Sequence, residues 1–137
     1  SFTAPSAWTE EQPTNQMRKA QFKVVDKEKK AGDAWFVVSK LGLQPVESNI
    51  DRWARQMGLE GGKAVEMKGN HVFWLVDFTG AYTSDQGEEM PNARMIAAML
   101  NSGDASWFFK LIGPAETVGD YKDDFITMMK GARDRGE

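Results

Sequence analysis

The stretch that decides the fold reads His71-Val72-Phe73-Trp74-Leu75-Val76-Asp77-Phe78-Thr79. β-Branched and aromatic residues dominate it, and residues of these types favour strands. By alternation, Phe73, Leu75 and Asp77 share one face of this strand. The other face carries Val72, Trp74, Val76 and Phe78. We therefore expect this segment to be the strongest strand of a sheet.

The segments on either side predict more strands and two helices. Alternating or continuous apolar patterns predict strands at residues 17–25, 34–39, 63–67, 93–101 and 105–112. Amphipathic patterns predict helices from about Ser48 to Gly58 and from Pro114 to Gly131. Tight turns between most strands favour antiparallel pairing. The sequence therefore predicts an α+β fold (β-β-α-β-β-β-β-α), with an antiparallel sheet of about six strands and two helices packed on one or both of its faces.

Two local signals refine these boundaries. Ser48 followed by Asp51 is a variant of the capping box, and Gly58 suits the C-terminal cap of the same helix. Polar and turn-forming residues predict that residues 80–92 form the longest loop.

The length of 137 residues fits one domain. Residues 1–16 contain two prolines and predict an extended lead-in that Phe2 and Trp8 attach to the body. Residues 17–131 then form the single α+β domain. Residues 132–137 are polar and predict a frayed tail.

Composition argues against several classes of function. The net charge of −3 disfavours nucleic acid and an anionic membrane surface as partners. The chain has no cysteine, so it forms neither disulfides nor thiolate sites. Its glycines lack the spacing of a phosphate-binding loop, and we expect no cofactor. Membrane association is expected only through an anchor preceding Ser1.

Three side chains are candidates for acid–base chemistry. Asp77 lies on an apolar strand face, where burial can raise a carboxyl pKa. Lys110 shares a predicted face with Phe108 and Ile112 and is a candidate partner of Asp77. His71 is the only histidine. Each of these residues more often has a structural role, so no catalytic residue is assigned.

Two further residues are candidates for binding. Arg52 precedes Trp53, and an arginine beside a tryptophan is common in carbohydrate and anion sites, although Trp53 also fits the apolar stripe of its helix. Tyr82 lies in the predicted loop at residues 80–92. Together they define a candidate groove for a small molecule or sugar.

Several segments together carry a family resemblance. They are Met17-Arg18-Lys19-Ala20-Gln21-Phe22, Asn49-Ile50-Asp51-Arg52-Trp53, Asp77-Phe78-Thr79-Gly80, Arg94-Met95-Ile96-Ala97-Ala98 and Trp107-Phe108-Phe109-Lys110-Leu111-Ile112-Gly113-Pro114. Over most of its length the chain resembles an uncharacterised group of exported, often lipoprotein-like proteins of planctomycete-type bacteria. The lipid-accepting cysteine common in such proteins is absent from this sequence.

The predicted arrangement is also similar to the PsbP-like fold, in which helices enclose an antiparallel sheet. That class includes an extrinsic photosystem subunit and a nuclear-transport accessory factor, so the resemblance implies binding and assembly. No catalytic residues are carried over from it, and the residues themselves predict neither a cofactor nor a metal site.

Three hypotheses of function follow. The first is a non-enzymatic, extracytoplasmic binding or accessory domain, in the periplasm or cell envelope and tethered at its N-terminus. The second is a small-molecule or carbohydrate-binding module with a groove near residues 80–92. The third is an enzyme that uses Asp77 with Lys110 or His71, and it requires these side chains to lie within hydrogen-bonding reach.

Overall fold

The computed structural model describes residues 4, 8–11, 18–24, 32–83 and 89–131. The strands are β1 (Trp8–Glu11), β2 (Arg18–Val24), β3 (Ala34–Gly42), β4 (Val65–Lys68), β5 (Val72–Thr83), β6 (Glu89–Ser102) and β7 (Ala105–Pro114). The helices are α1 (Val46–Gln56), α2 (Ala115–Asp120) and α3 (Lys122–Lys130). The strands form one sheet in the order β1-β2-β3-β7-β6-β5-β4, and every neighbouring pair is antiparallel. The predicted α+β class is confirmed.

The sheet has seven strands where the sequence predicts about six. The additional strand is β1, in which Trp8 pairs with Val24 of β2. Part of the predicted lead-in at residues 1–16 is therefore an edge strand of the sheet. The predicted tail at 132–137 lies outside the described residues.

One face of the sheet packs against α1. The helix buries Ile50, Trp53 and Ala54, and Met57 directly after it is buried with them. They contact apolar side chains of β5, β6 and β7: Val76, Phe78, Ala93, Met95, Ala97, Met99, Phe108 and Ile112. Trp53 meets the ring of Phe108 edge-on, with 5.9 Å between centroids. Burial of this apolar stripe is what stabilises an amphipathic helix of this length.

The opposite face packs against α2 and α3. These helices bury Val118, Phe125, Met128 and Met129. Phe125 meets Phe36 of β3 edge-on at 6.0 Å. Trp8 lies 4.7 Å from Phe36 and 5.9 Å from Tyr121 between ring centroids, so it attaches β1 to this core. The sheet is therefore enclosed between helices on both faces, which answers a question that the sequence left open.

The first helix starts earlier than its capping signal predicts. Pro45 is the N-cap and makes no side-chain cap bond, while Ser48 lies inside the first turn. The Ser48 hydroxyl donates to the Pro45 carbonyl at 3.4 Å, and the Asn49 amide donates to the same oxygen at 2.7 Å. The predicted capping box is therefore wrong. The predicted C-terminal end is close, because Gly58 adopts φ 73° directly after the cap residue.

The last helix is broken in two. Tyr121 separates α2 from α3, and its amide donates to the Val118 carbonyl at 3.0 Å. Gly119 lies beside Arg94, where an added Cβ would stand 2.8 Å from the guanidinium Nη1. The glycine thus leaves room for this arginine beneath the break.

The loop predicted at residues 80–92 is largely strand. β5 continues to Thr83, β6 begins at Glu89, and Tyr82 pairs with Met90. The register of the two strands shifts between Gly80 and Tyr82. Cross-strand pairing in this long hairpin overrides the turn-like composition of the segment.

Candidate functional site

A cleft of about 490 Å³ lies beside the first half of α1. Its lining comprises Val46, Glu47, Ile50, Asp51, Gly62, Lys63, Ala64 and Trp74. The helix forms one wall, the segment before β4 forms the other, and Trp74 of β5 lies between them. This volume is within the range of ligand-binding clefts, roughly 300–1,000 Å³.

Trp74 is half-buried and lies beside α1 in the cleft. Across the strands it is in register with Met99 and Phe108, both of which are buried against α1. Its other neighbour is the exposed Glu66 of the edge strand β4. The row of buried side chains formed by Phe108 and Met99 thus ends at Trp74, whose partly exposed ring forms an aromatic surface in the cleft.

Gly62 shapes the opposite wall. A Cβ at this position would collide with the ring of Phe78. The glycine therefore lets the chain cross close to the sheet before β4 begins. This close approach sets Lys63 and Ala64 opposite α1.

The charge of the cleft is mainly negative. Glu47 and Asp51 are four residues apart on α1, so they lie on the same side of the helix, and both are exposed. Within the described part of the chain, neither carboxylate makes an ion pair. Lys63 is the one cation of the lining that the structure describes, and Glu66 lies next to Trp74. The arrangement favours a cationic group above an aromatic and apolar base.

Asp77 makes a charged network on the opposite face. Its carboxylate accepts bonds from Arg94 Nε at 2.8 Å and Nη2 at 2.6 Å, and Lys122 Nζ lies 2.9 Å from Oδ2. The Arg94 hydrogen bonds lower the Asp77 pKa most, burial opposes them, and Lys122 lowers it further. Asp77 also raises the pKa of Arg94. This network connects β5, β6 and α3, so Asp77 is held ionised instead of being poised to carry a proton.

The predicted partnership of Asp77 with Lys110 is wrong. Asp77 is in register with Ile96 and Leu111 on the α2–α3 face. Lys110, adjacent to Leu111, therefore points to the α1 face, where its Nζ donates to Gln56 Oε1 at 3.3 Å. The sheet separates the two side chains.

His71 is also remote from Asp77. It directly precedes β5, whereas Asp77 lies six residues further along the chain. At about 3.3 Å per residue the two positions are roughly 20 Å apart, too far for a direct hydrogen bond. The structure does not bring together the residues of the enzyme hypothesis.

Arg52 and Tyr82 lie outside the cleft lining. Arg52 is exposed on α1, and its Cζ lies 5.9 Å from the ring centroid of Phe108. Tyr82 is half-buried and packs against the core beneath α1. The groove predicted near residues 80–92 remains a prediction, since residues 84–88 lie outside the described part of the chain.

The residues missed by sequence analysis are Glu47, Asp51 and Trp74. A signal existed for the first two, because acids four residues apart share a helix side. Trp74 was predicted only as one member of an apolar strand face. Its partial exposure depends on how α1 and the segment before β4 pack beside it, which no local sequence pattern reports.

The described residues support neither a metal site nor a membrane-spanning helix. They contain no group of three or more histidine or acidic side chains that could hold a metal ion. No helix among them is both long and apolar enough to span a membrane.

Comparison with protein-family models gives no match, and comparison with curated proteins gives no significant one. Among solved structures, the fold is similar to a Pseudomonas aeruginosa protein of unknown function that is described as a candidate regulator (TM-score 0.58, 13% identity). That alignment covers 96% of this chain and 100% of the other. A Bacteroides thetaiotaomicron structure matches with a TM-score of 0.55 and 14% identity, over 99% of this chain and 46% of the larger protein. At these identities the similarity shows the shared fold alone.

Proposed function

We propose that the chain is a non-catalytic binding or accessory domain that works outside the cytoplasm and holds its ligand in the cleft at Trp74. The cleft is the observation that carries the binding part of this proposal. It combines a half-buried indole, apolar walls at Val46 and Ile50, and carboxylates without an ion-pair partner in the described chain. Ligand sites typically combine apolar walls with a small number of placed polar or charged groups.

The positions of the ionisable candidates support a binding role. Asp77 is neutralised by two cations, while Lys110 lies on the other face of the sheet and His71 about 20 Å along the strand. General acid–base catalysis needs such groups within hydrogen-bonding reach of one another or of one substrate atom.

The extracytoplasmic part of the proposal rests on the resemblance to exported, lipoprotein-like proteins. It is tested by sequencing the reading frame upstream of Ser1 and by fractionating cells that express the native gene. A signal sequence and recovery with the cell envelope are expected. A cytosolic start with recovery in the cytoplasmic fraction would remove this part and leave the cleft argument in place.

The binding part is tested by a fragment screen with ligand-observed NMR. We expect hits whose signal disappears in Trp74→Ala but persists in Trp107→Ala. Trp107 is a matched control, since it is also half-buried but lies on the opposite face, with Lys40 Nζ 5.2 Å from its ring centroid. Hits that persist in folded Trp74→Ala protein would place binding elsewhere and contradict the proposal.

A further inference from the structure

The cleft lies next to the edge of the sheet at β4, because its lining residues Lys63 and Ala64 directly precede this strand. This strand is the last in the strand order, so the described chain places no strand on its outer side. Three of its four residues, Val65, Glu66 and Lys68, are exposed, and the Val65 side chain is 61% exposed to solvent. An edge of this kind offers free backbone donors and acceptors to an extended peptide.

The register assigns the faces of β4. Glu66 pairs with Trp74 and therefore lies on the cleft side, next to the indole. Val65 pairs with Leu75 and Met67 with Phe73, which places both on the α2–α3 side. A strand added along β4 would thus meet Glu66 and Lys68 on the cleft face and the apolar side chains of Val65 and Met67 on the other.

We propose that β4 accepts an extended segment of a partner polypeptide as a further antiparallel or parallel strand, with a lysine or arginine side chain directed over Trp74 towards Glu47 and Asp51. Side chains that pair directly across two strands lie on the same face of the sheet, so the alternating faces of β4 favour an apolar–basic–apolar sequence in the added segment. The basic side chain lies beside Glu66, and its apolar neighbours lie beside Val65 and Met67. This inference rests on the proposed function, because it names the ligand of the same cleft.

The cleft chemistry favours an organic cation over a metal ion. Glu47 and Asp51 supply two carboxylates, whereas the described residues contain no group of three ligands suited to a metal. The indole of Trp74 attracts ammonium and guanidinium groups, and Ile50 can pack against an aliphatic side-chain stem.

The edge favours a polypeptide over a free amine. A small amine would use the carboxylates and the indole but leave the outer backbone groups of β4 and the exposed Val65 unused. A peptide strand satisfies them together with the charges.

In the experiment, the full chain is added to a fluorescently labelled heptapeptide, Ser-Thr-Val-Lys-Val-Thr-Ser, and binding is measured by the fluorescence polarisation of the peptide. Three related probes serve as comparisons: a peptide with glutamate in place of the lysine, a lysine peptide methylated at its central backbone nitrogens, and spermidine as an unlabelled competitor. The protein variant is Glu47→Gln with Asp51→Asn. The matched control is Asp123→Asn with Asp124→Asn, which makes the same change of charge at exposed positions of α3.

We expect saturable binding of the lysine peptide, weakened roughly three- to tenfold by the cleft variant, because each exposed charge contact contributes modestly. The α3 control should bind like the wild type. Affinity should fall as NaCl rises from about 0.05 to about 0.5 M. The glutamate and backbone-methylated peptides should bind at least about tenfold more weakly, since each loses charge or strand pairing.

Equal binding of the lysine and glutamate peptides would overturn the proposal, as would undiminished binding of the methylated peptide. Spermidine that competes at the affinity of the peptide would show that the cleft takes a free amine and that β4 is not used. If fragments bind at Trp74 but the peptide does not, strand addition is refuted while the binding function stands. If neither binds, both proposals fall.

Discussion

Replacing Phe125 by alanine tests whether α3 is an essential cover of the sheet. Phe125 has 0% exposure and meets the ring of Phe36 edge-on at 6.0 Å. Truncation of a fully buried phenylalanine costs about 3–5 kcal/mol, of which roughly 1 kcal/mol belongs to the aromatic pair. A loss of this size lowers the melting temperature of a domain of this length by roughly 10–20 °C.

The assay is urea unfolding followed by both circular dichroism and tryptophan fluorescence. We expect a lower midpoint with an unchanged dependence on urea concentration, which identifies a change in stability. Thr127→Ala is the control on the same helix, because Thr127 is exposed, and it should change stability by less than about 0.5 kcal/mol. A loss below about 1 kcal/mol for Phe125→Ala would refute the packing of α3 described above.

Two further substitutions test the charged network and the docking of α1. In Asp77→Asn we expect a loss of about 1 kcal/mol at pH 7 in urea unfolding, because the bond to Arg94 loses its charge. Because the pKa of Asp77 is lowered in the folded protein, the carboxylate stabilises the wild type at pH values above the unfolded-state pKa near 4, and this stabilisation is lost as the pH falls further. The difference in unfolding free energy between the wild type and Asp77→Asn should therefore shrink by about pH 3. A difference that stays constant with pH would contradict the pairing. In Gly80→Ala the added Cβ would collide with the Met57 carbonyl oxygen, so we expect a loss of about 1–3 kcal/mol by thermal unfolding. Gly42→Ala is its control, since no atom lies within 4 Å of that Cβ, and equal losses in both variants would refute the close contact.

The sequence carried enough information for the class of fold and for most elements. The two faces of strand β5 were predicted correctly, because successive side chains of a strand point to opposite sides of the sheet. Leu75 and Val76 are accordingly buried on opposite sides. The stripe of α1 was predicted for the same reason. These are patterns in which each residue reports its own environment.

Other elements depend on contacts between distant segments. β1 is short, and it is a strand because it pairs with β2 and because Trp8 packs on Phe36. The long β5–β6 hairpin was missed since its polar residues resemble a loop until Tyr82 is paired with Met90. The interruption between α2 and α3 at Tyr121 likewise occurs where Arg94, from a distant strand, packs beside Gly119.

The candidate site was the least predictable feature. Its residues come from α1, from the segment before β4 and from β5, and only the strand order brings them together. The sequence-based pair of Asp77 and Lys110 failed because alternation in two separate strands does not reveal which of their faces coincide. Only the register settled that Lys110 faces α1.

The most direct test of the central claim is a ¹⁵N–¹H spectrum of the tryptophan indoles, recorded while a ligand from the fragment or peptide experiments is added. Single Trp→Phe variants assign the signals. We predict that the Trp74 indole shifts most, while Trp53, which is 1% exposed beneath α1, and Trp107 on the opposite face keep their positions. A ligand that shifts Trp107 and leaves Trp74 unchanged would show that the cleft beside α1 is not the binding site.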